Sequence, residues 1–325
     1  MRQETTIRRG IEKIRLGHYP TPLVRLETIS RETGLHFYIK RDDLCGVAFG
    51  GNKVRKLEYL LAHAKAKGFD TILTAGGAQS NHALLTAACC GKLGLDALLL
   101  LKKRGVTEAK GNLLLASLLK TPVRFIDTDS YAEVYAQAET IMDDLRAGGK
   151  NPWLIPVGGS VPLGALGYLD AAEEIASQAG EQGFPVDHIL CCSGSGGTHA
   201  GLLLGAKKLG ARVTGIVVSV EENFQEEIYR LTLETAQLAG IDPGIRLEDV
   251  VLKAYIGPGY ARPSEEGDAA IRFMAEKEGI FLDPVYTGKA FAGFLDLCAQ
   301  GFFAPGEHVV FVHTGGGPAI FALYP

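Results

Sequence analysis

From Lys53 onward apolar positions recur every three to four residues, with Leu57, Leu60, Leu61 and Ala64 on one side, a spacing that predicts a helix over 53–67. Gly68 ends it. The next run, Thr71-Ile72-Leu73-Thr74-Ala75, is short and partly β-branched and leads into glycines, which predicts a strand. The switch of period then repeats: helix 82–92 up to Gly94, strand 96–101, helix 108–119, strand 122–126 and helix 131–147. Gly148-Gly149-Lys150-Asn151-Pro152 is a break. Beyond it the pattern predicts strand 153–157, helix 163–178, strand 188–192, helix 199–209, strand 213–219, helix 221–239, helix 264–278, strand 308–312 and a short last helix. Residues 255–263, with Gly and Pro interleaved, read as a rigid loop. Ahead of all this, residues 1–35 read as polar and irregular, with 20–23 extended because prolines disfavour helix before them, and 36–40 as a strand. Strands alternating with helices predict an α/β class with open, mostly parallel sheets. No internal repeat, low-complexity tract or long linker interrupts the alternation.

A length of 325 residues suffices for two domains with cores of their own. The 46% hydrophobic and 22% charged fractions are those of an ordinary globular chain. A net charge of −4 gives no electrostatic case for nucleic acid or a membrane surface. Met1-Arg2-Gln3-Glu4 lacks the apolar core of a signal peptide, and no apolar run has the length of a membrane span. The six cysteines form no C-x-x-C pair, which argues against zinc or dithiol chemistry and leaves them as small buried hydrophobes. No metal is expected, and a reducing cytoplasm is the simplest setting.

Glycine changes the picture, because the 41 glycines cluster. Four polar, Gly-rich loops, 76–82, 158–160, 193–198 and 313–317, each follow a predicted strand, where open α/β sheets bind ligands. Ser193-Gly194-Ser195-Gly196-Gly197-Thr198 has the composition of an anion cradle: exposed N–H groups, hydroxyls and a helix opening behind them. A dinucleotide fingerprint fails there, since His199 stands where the third glycine is required, and no G-x-x-x-x-G-K-[S/T] occurs. Gly50-Gly51-Asn52-Lys53 puts a lysine at the mouth of a helix beside a tight turn. Read from its residues, Lys53 is either a solvated member of the basic run Lys53, Arg55, Lys56 or an amine poised to form a Schiff base. A single phosphate with a separate lysine fits pyridoxal phosphate.

Eight motifs in order carry a resemblance. They are Lys40-Arg41-Asp42-Asp43, Gly50-Gly51-Asn52-Lys53-x-Arg55-Lys56-Leu57-Glu58, Gln79-Ser80-Asn81-His82 and Gly158-Gly159-Ser160. Then come Gly164-Ala165-Leu166-Gly167-Tyr168, Ser193-Gly194-Ser195-x-Gly197-Thr198-His199-Ala200-Gly201, Leu282-Asp283-Pro284-Val285-Tyr286-Thr287-Gly288-Lys289 and His313-Thr314-Gly315-Gly316. From about Pro20 to its end the chain resembles the D-cysteine desulfhydrase and aminocyclopropane-carboxylate deaminase family. These are pyridoxal-phosphate enzymes of fold type II, the tryptophan-synthase-β-like fold. The resemblance implies a small domain, 52–163, a large cofactor-binding domain, 1–51 with 164–325, and a homodimer. It implies that Lys53 carries the cofactor and that Asn81 bonds its phenolic oxygen. Ser195, Gly196, Gly197 and Thr198 would hold its phosphate, and Asn52, Thr287 and Thr314 would also contact it. Ser80, Tyr260 and Tyr286 would act with Lys53 on the substrate, and Ser80, Asn81, His82 and Tyr286 would bind it. From the residues alone Asn81 is equally a helix cap, Ser80 a turn residue, and the two tyrosines half-buried core aromatics. His82, His199 and His313 stay outside the catalytic set.

The activity implied is elimination of sulfide from D-cysteine to leave pyruvate and ammonia. Lys53 or a neighbour would take the α-proton, and Tyr286 or Tyr260 would protonate the leaving thiolate. In the deaminase branch of the family Glu and Leu replace Thr287 and Thr314; a carboxylate at the pyridine nitrogen would strengthen the electron sink that ring opening needs. Ring opening of the cyclopropane amino acid and loss of sulfite from a sulfonated amino acid are the alternatives on the same fold. A non-catalytic cofactor-binding protein is the alternative of another class. One departure stands out: Leu84 and Leu85 occupy positions where the family has Arg-Gln, so a polar contact near the cofactor or cleft is expected to be missing.

Overall fold

The computed structural model describes residues 5–219 and 222–324. The chain runs β1 (Thr5–Arg8), β2 (Ile11–Ile14), β3 (Leu23–Arg25), α1 (Glu27–Thr33), β4 (His36–Arg41), α2 (Lys53–Ala66), β5 (Thr71–Gly77) and α3 (Asn81–Leu93). It continues β6 (Asp96–Lys102), α4 (Gly111–Leu118), β7 (Val123–Ile126), α5 (Tyr131–Ala147), β8 (Pro152–Ile155), α6 (Pro162–Gln182), β9 (His188–Ser193) and α7 (Gly197–Ala206). The last part is β10 (Arg212–Val217), α8 (Phe224–Ala239), β11 (Val251–Ala254), α9 (Glu265–Glu278), α10 (Thr287–Ala299), β12 (His308–His313) and α11 (Ile320–Leu323).

The strands form two main sheets. A six-stranded sheet has the order β11-β10-β9-β12-β4-β3, and a four-stranded sheet the order β7-β6-β5-β8. Every pairing in them is parallel except β3 with β4 at the edge. The strands of the smaller sheet come from one continuous stretch, and those of the larger from the chain on either side of it. Parallel strands need both faces covered. One face of the larger sheet packs Ile189, Cys191, Val213 and Val310 under Leu166, Leu169, Leu202 and Ile228 of α6, α7 and α8. The other packs Phe37, Leu190, Ile216 and Phe311 under Met274, Phe291 and Phe294 of α9 and α10. No described helix is long and apolar enough to cross a membrane.

From Lys53 onward the expected helices and strands appear in order, with ends moved by a few residues, and the edge strand β11, which was not expected, is added between α8 and α9; α4 begins at Gly111 and α7 at Gly197. The expected helix 221–239 begins at Phe224, with Glu221 outside the described residues. Residues 5–35, the described part of the stretch expected to be irregular, are not irregular throughout. Thr5–Arg8 and Ile11–Ile14 form an antiparallel hairpin closed by Arg9 and Gly10, both at positive φ (53° and 74°). That backbone suits a two-residue hairpin turn, but Arg at its first position hides it from a search for Asn-Gly or Asp-Gly. The helix α10 was also not expected. Its N-terminus has no adjacent side-chain cap; instead Asp283, four residues upstream, accepts the N–H groups of Val285, Tyr286 and Thr287 at 2.9 Å.

Candidate active site

The four Gly-rich loops converge on one cavity of about 480 Å³ between the two sheets, within the size range of small-molecule sites. Its wall includes Asn52, Lys53, Ser80, Asn81 and His82 from the starts of α2 and α3. Ser195, Gly196, Thr198, Tyr260, Tyr286 and Thr314 complete it from the other side. Gly197 and Thr287 are not on the wall. Among the described residues no group of three or more His, Cys, Asp or Glu is placed to hold a metal ion.

Lys53 is the first residue of α2, and backbone hydrogen bonds hold the turn before it. Gly51 N donates to Asp42 O at 2.9 Å, and Asn52 N donates to Thr314 O at 3.1 Å. Gly51 bridges Gly315. A Cβ on Gly315 would lie 2.7 Å from Gly51 Cα, and one on Gly51 would lie 2.9 Å from Thr314 O. Only glycine lets the two loops cross this closely. Two residues on, Arg55 forks onto Asp42 (Nε–Oδ2 2.9 Å, Nη2–Oδ1 2.8 Å) and onto Glu174 (2.8 and 3.1 Å). Tyr168 donates to Asp42 Oδ2 at 2.6 Å. Burial opposes a charge on Asp42, but Arg55 outweighs it and holds the carboxyl below its usual range. The pair thereby fixes the start of α2 against the larger sheet.

No described residue takes Lys53 Nζ into a hydrogen bond, and burial lowers its ammonium from 10.5 to about 8, with Cys192 weakly opposing. The unfolded chain therefore binds more protons than the folded one between these values, so stability contributed at this site rises with pH from about 8 to 10.5. Reactivity follows the same titration. In cofactor-free protein, modification of Lys53 by an aldehyde or a trinitrophenyl reagent is expected to fall about tenfold per pH unit below about 8 and to level off above it. A midpoint near the ordinary lysine value, read from peptide-resolved labelling rates, would contradict the buried setting.

Lys56 stands one turn further on the same face. It is 1% exposed, and its Nζ donates to Gly158 O (3.1 Å) and Ser160 Oγ (3.3 Å). Ser160 Oγ in turn pairs with Ser195 Oγ at 2.8 Å and accepts Gly197 N at 3.2 Å. Burial first and Lys53 second push the Lys56 ammonium well down, and no carboxylate offsets them. A buried amine without a counter-ion, directly behind hydroxyls and a helix N-terminus, is a setting made for a phosphate. Asn52 Nδ2 donates to Thr198 Oγ1 at 2.9 Å and ties the two helix starts together.

At α3 the cap is Ser80, whose Oγ accepts Ala83 N at 3.2 Å; Asn81 is inside the helix, not its cap. Asn112 Nδ2 donates to Asn81 Oδ1 at 2.7 Å, so the amide N–H groups of Asn81 are the end left for a ligand. His82 is buried and its Nε2 faces Thr74 Oγ1 at 2.9 Å. Thr74 gives its own proton to Ile155 O, so His82 carries its hydrogen on Nε2. Burial, Lys53 and Lys56 keep the ring neutral. Burial likewise keeps His199 neutral, at about 4. Opposite, Tyr286 OH lies 2.5 Å from Tyr260 OH. Burial first, then Tyr260, raise Tyr286 well above the usual phenol range.

Thr287 is fully buried and its hydroxyl is spent on Asp283, donating to Oδ1 at 2.8 Å and accepting Asp283 N at 2.8 Å. Thr314 is the threonine that reaches the wall. Leu84 and Leu85 are in the core: Leu84 packs with Leu99, Leu101 and Leu113, Leu85 with Leu57, Leu61 and Ile155. Neither is on the wall. Sequence reasoning passed over Lys56, Asn112 and the outer wall residues Lys102 and Tyr131. The spacing of Lys53 and Lys56 was a signal for the first; Asn112, Lys102 and Tyr131 are brought in by the fold.

Residues 14–315 match the pyridoxal-phosphate dependent enzyme family. A Pyrococcus abyssi protein, provisionally named a 1-aminocyclopropane-1-carboxylate deaminase, is 42% identical over 312 residues, covering 95% of this chain and 93% of its own. A D-cysteine desulfhydrase of Klebsiella pneumoniae is 42% identical over 312 residues, covering 94% of each chain. The solved structure of an ACC deaminase homologue superposes with a TM-score of 0.89 at 42% identity, covering 95% of this chain and 93% of that one. A cavity lined by an unbonded lysine and by a phosphate-ready cradle suits the cofactor that this family uses. The chain belongs to the pyridoxal-phosphate dependent enzymes, in the group of D-cysteine desulfhydrases and aminocyclopropane-carboxylate deaminases.

Proposed function

We propose that the chain is a D-cysteine desulfhydrase, working in a cleft between a domain of residues 52–163 and one of 1–51 with 164–325. The observation that carries the substrate choice is the make-up of the wall. Among its described lining residues there is no Asp or Glu, and the threonine at the end of β12, Thr314, is on it. A carboxylate against the pyridine nitrogen would favour its protonated form and a strong electron sink; a hydroxyl offers a neutral hydrogen bond. Expelling a thiolate asks less of the sink than breaking a carbon–carbon bond. The homodimer expected from the resemblance and the cytoplasmic setting expected from the cysteines belong to the same reading.

Pyridoxal phosphate, when bound, supplies the electron sink. The N-terminus of α3, with Ser80 as its cap and the N–H groups of Asn81 and His82 open, suits the substrate carboxylate. The Lys53 amine, at about 8, is a base strong enough to take the α-proton and is in part neutral at physiological pH. Tyr286 keeps its proton at that pH and, bonded to Tyr260, has it ready for the sulfur as the carbon–sulfur pair leaves. Asn81, turned by Asn112, would present N–H to the phenolic oxygen, and Ser195, Gly196, Gly197 and Thr198 would hold the phosphate with Lys56 behind them.

The test is a substrate comparison with D-cysteine, L-cysteine, D-serine and the cyclopropane amino acid, reading sulfide and 2-oxo acid. We expect kcat/KM for D-cysteine to exceed that for the cyclopropane substrate by about 100-fold or more. Efficient ring opening with no sulfide from D-cysteine would overturn the assignment in favour of the deaminase.

A further inference from the structure

Tyr260 is presented to the wall by a loop with no regular structure. Residues 255–263 leave β11 on the larger sheet and reach across the cleft: a Cβ on Gly77, at the end of β5 of the smaller sheet, would lie 3.9 Å from Tyr260 Cε1. Ile256, Gly259 and Tyr260 all line the cavity. Three residues hold unusual backbone, with φ of 60° at Gly257, 135° at Gly259 and 57° at Ala261. Such a loop needs an external hold to keep one shape.

Lys289 supplies one. It lies in the first turn of α10, three residues after Tyr286, and is 1% exposed. Its Nζ donates to Ile256 O at 2.7 Å and to Gly259 O at 2.8 Å. No carboxylate bonds it; Asp283, spent on the start of α10, and the Cys192 thiol are the groups it feels electrostatically. The same helix also holds the base of the loop, where Tyr255 OH donates to Asp296 Oδ2 at 2.6 Å. A buried ammonium given over to two carbonyls of one loop is costly unless that loop must be held.

We propose that Lys289 is a positioning residue: by holding the carbonyls of Ile256 and Gly259 it keeps the 255–263 loop closed over the cleft and sets Tyr260 against Tyr286, which is fixed by the same segment. This rests on the reading of the tyrosine pair as the acid for the leaving thiolate. Lys289 then acts on proton delivery and leaves cofactor binding alone.

The test compares Lys289→Met with wild type, both loaded with pyridoxal phosphate, on two substrates. D-cysteine needs its leaving sulfur protonated; β-chloro-D-alanine releases chloride, which does not. The variant should keep the visible absorbance of the bound cofactor, lose roughly 10- to 100-fold in kcat on D-cysteine, and change less than about threefold on β-chloro-D-alanine. Lys289→Arg should recover part of the loss. Amide hydrogen exchange over 256–260, read by mass spectrometry, should speed up at least about tenfold in the Met variant. Equal losses on both substrates with unchanged exchange would overturn the proposal. If wild type released no sulfide, the desulfhydrase reading would fail while the exchange result still decided whether Lys289 holds the loop. Should Lys289→Met not fold, Lys289→Gln, which keeps one donor, carries the same comparison.

Discussion

A Lys53→Ala variant is expected to lose the yellow, covalently held cofactor and at least about 10³-fold in turnover. On the proposed reading the site asks two things of one amine. It must be nucleophilic enough to hold an aldehyde, and it must take a proton from the substrate once displaced. Both depend on its being unbonded and lowered to about 8. The neighbouring Lys56 cannot take over, because its Nζ is held by Gly158 and Ser160. Lys53→Arg keeps the charge and cannot form the bond, so it should be equally inactive. Absorbance of the dialysed protein and single-turnover sulfide release check the pair; a variant that stayed yellow and active would show that another amine does the work.

The second large effect is on cofactor affinity. Lys56→Met is close to volume-conserving and removes the one buried cation behind the phosphate cradle. Breaking a buried charge pair costs on the order of 3–5 kcal/mol, so the Kd for pyridoxal phosphate should rise by about 100-fold or more. The cofactor-free protein loses only two hydrogen bonds and should stay folded, since it also sheds a buried amine whose ammonium has no counter-ion. Fluorescence titration of the apo variant, with its thermal midpoint beside it, separates the two effects. An unchanged Kd would mean that Ser195, Thr198 and the α7 N-terminus hold the phosphate unaided. Thr198→Val and Lys56→Met are better probes than a bulky residue at Gly196. There φ is 77° and a Cβ would meet Ile228 Cγ1 at 2.9 Å, so folding would suffer along with binding.

The cavity was legible in the sequence because its parts are local. Each Gly-rich loop follows its strand, and the turn at Gly50-Gly51, the hydroxyls at 193–198 and Ser80-Asn81 read as units. What escaped lies in relations between distant segments. Asn112 is far from Asn81 in the chain and reaches it only because α4 packs beside α3. The α10 helix takes its cap from Asp283 across a gap, and the hairpin at the N-terminus turns on Arg9. Thr287 and Thr314 looked alike as members of their motifs, yet one hydroxyl is consumed by Asp283 and the other residue meets the cavity. Leu84 and Leu85 looked like a lost polar contact, whereas their side chains face two apolar cores, where Arg-Gln would be costly to bury. Periodicity reports which face of a helix is buried; it does not report what that face meets.

The most direct test of the account is borohydride reduction of the purified protein followed by peptide mapping. The prediction is one pyridoxyl mass increment, confined to the peptide containing Lys53 and absent from the Lys53→Ala variant. An increment on Lys56, Lys102 or any other lysine, with Lys53 unmodified, would contradict it.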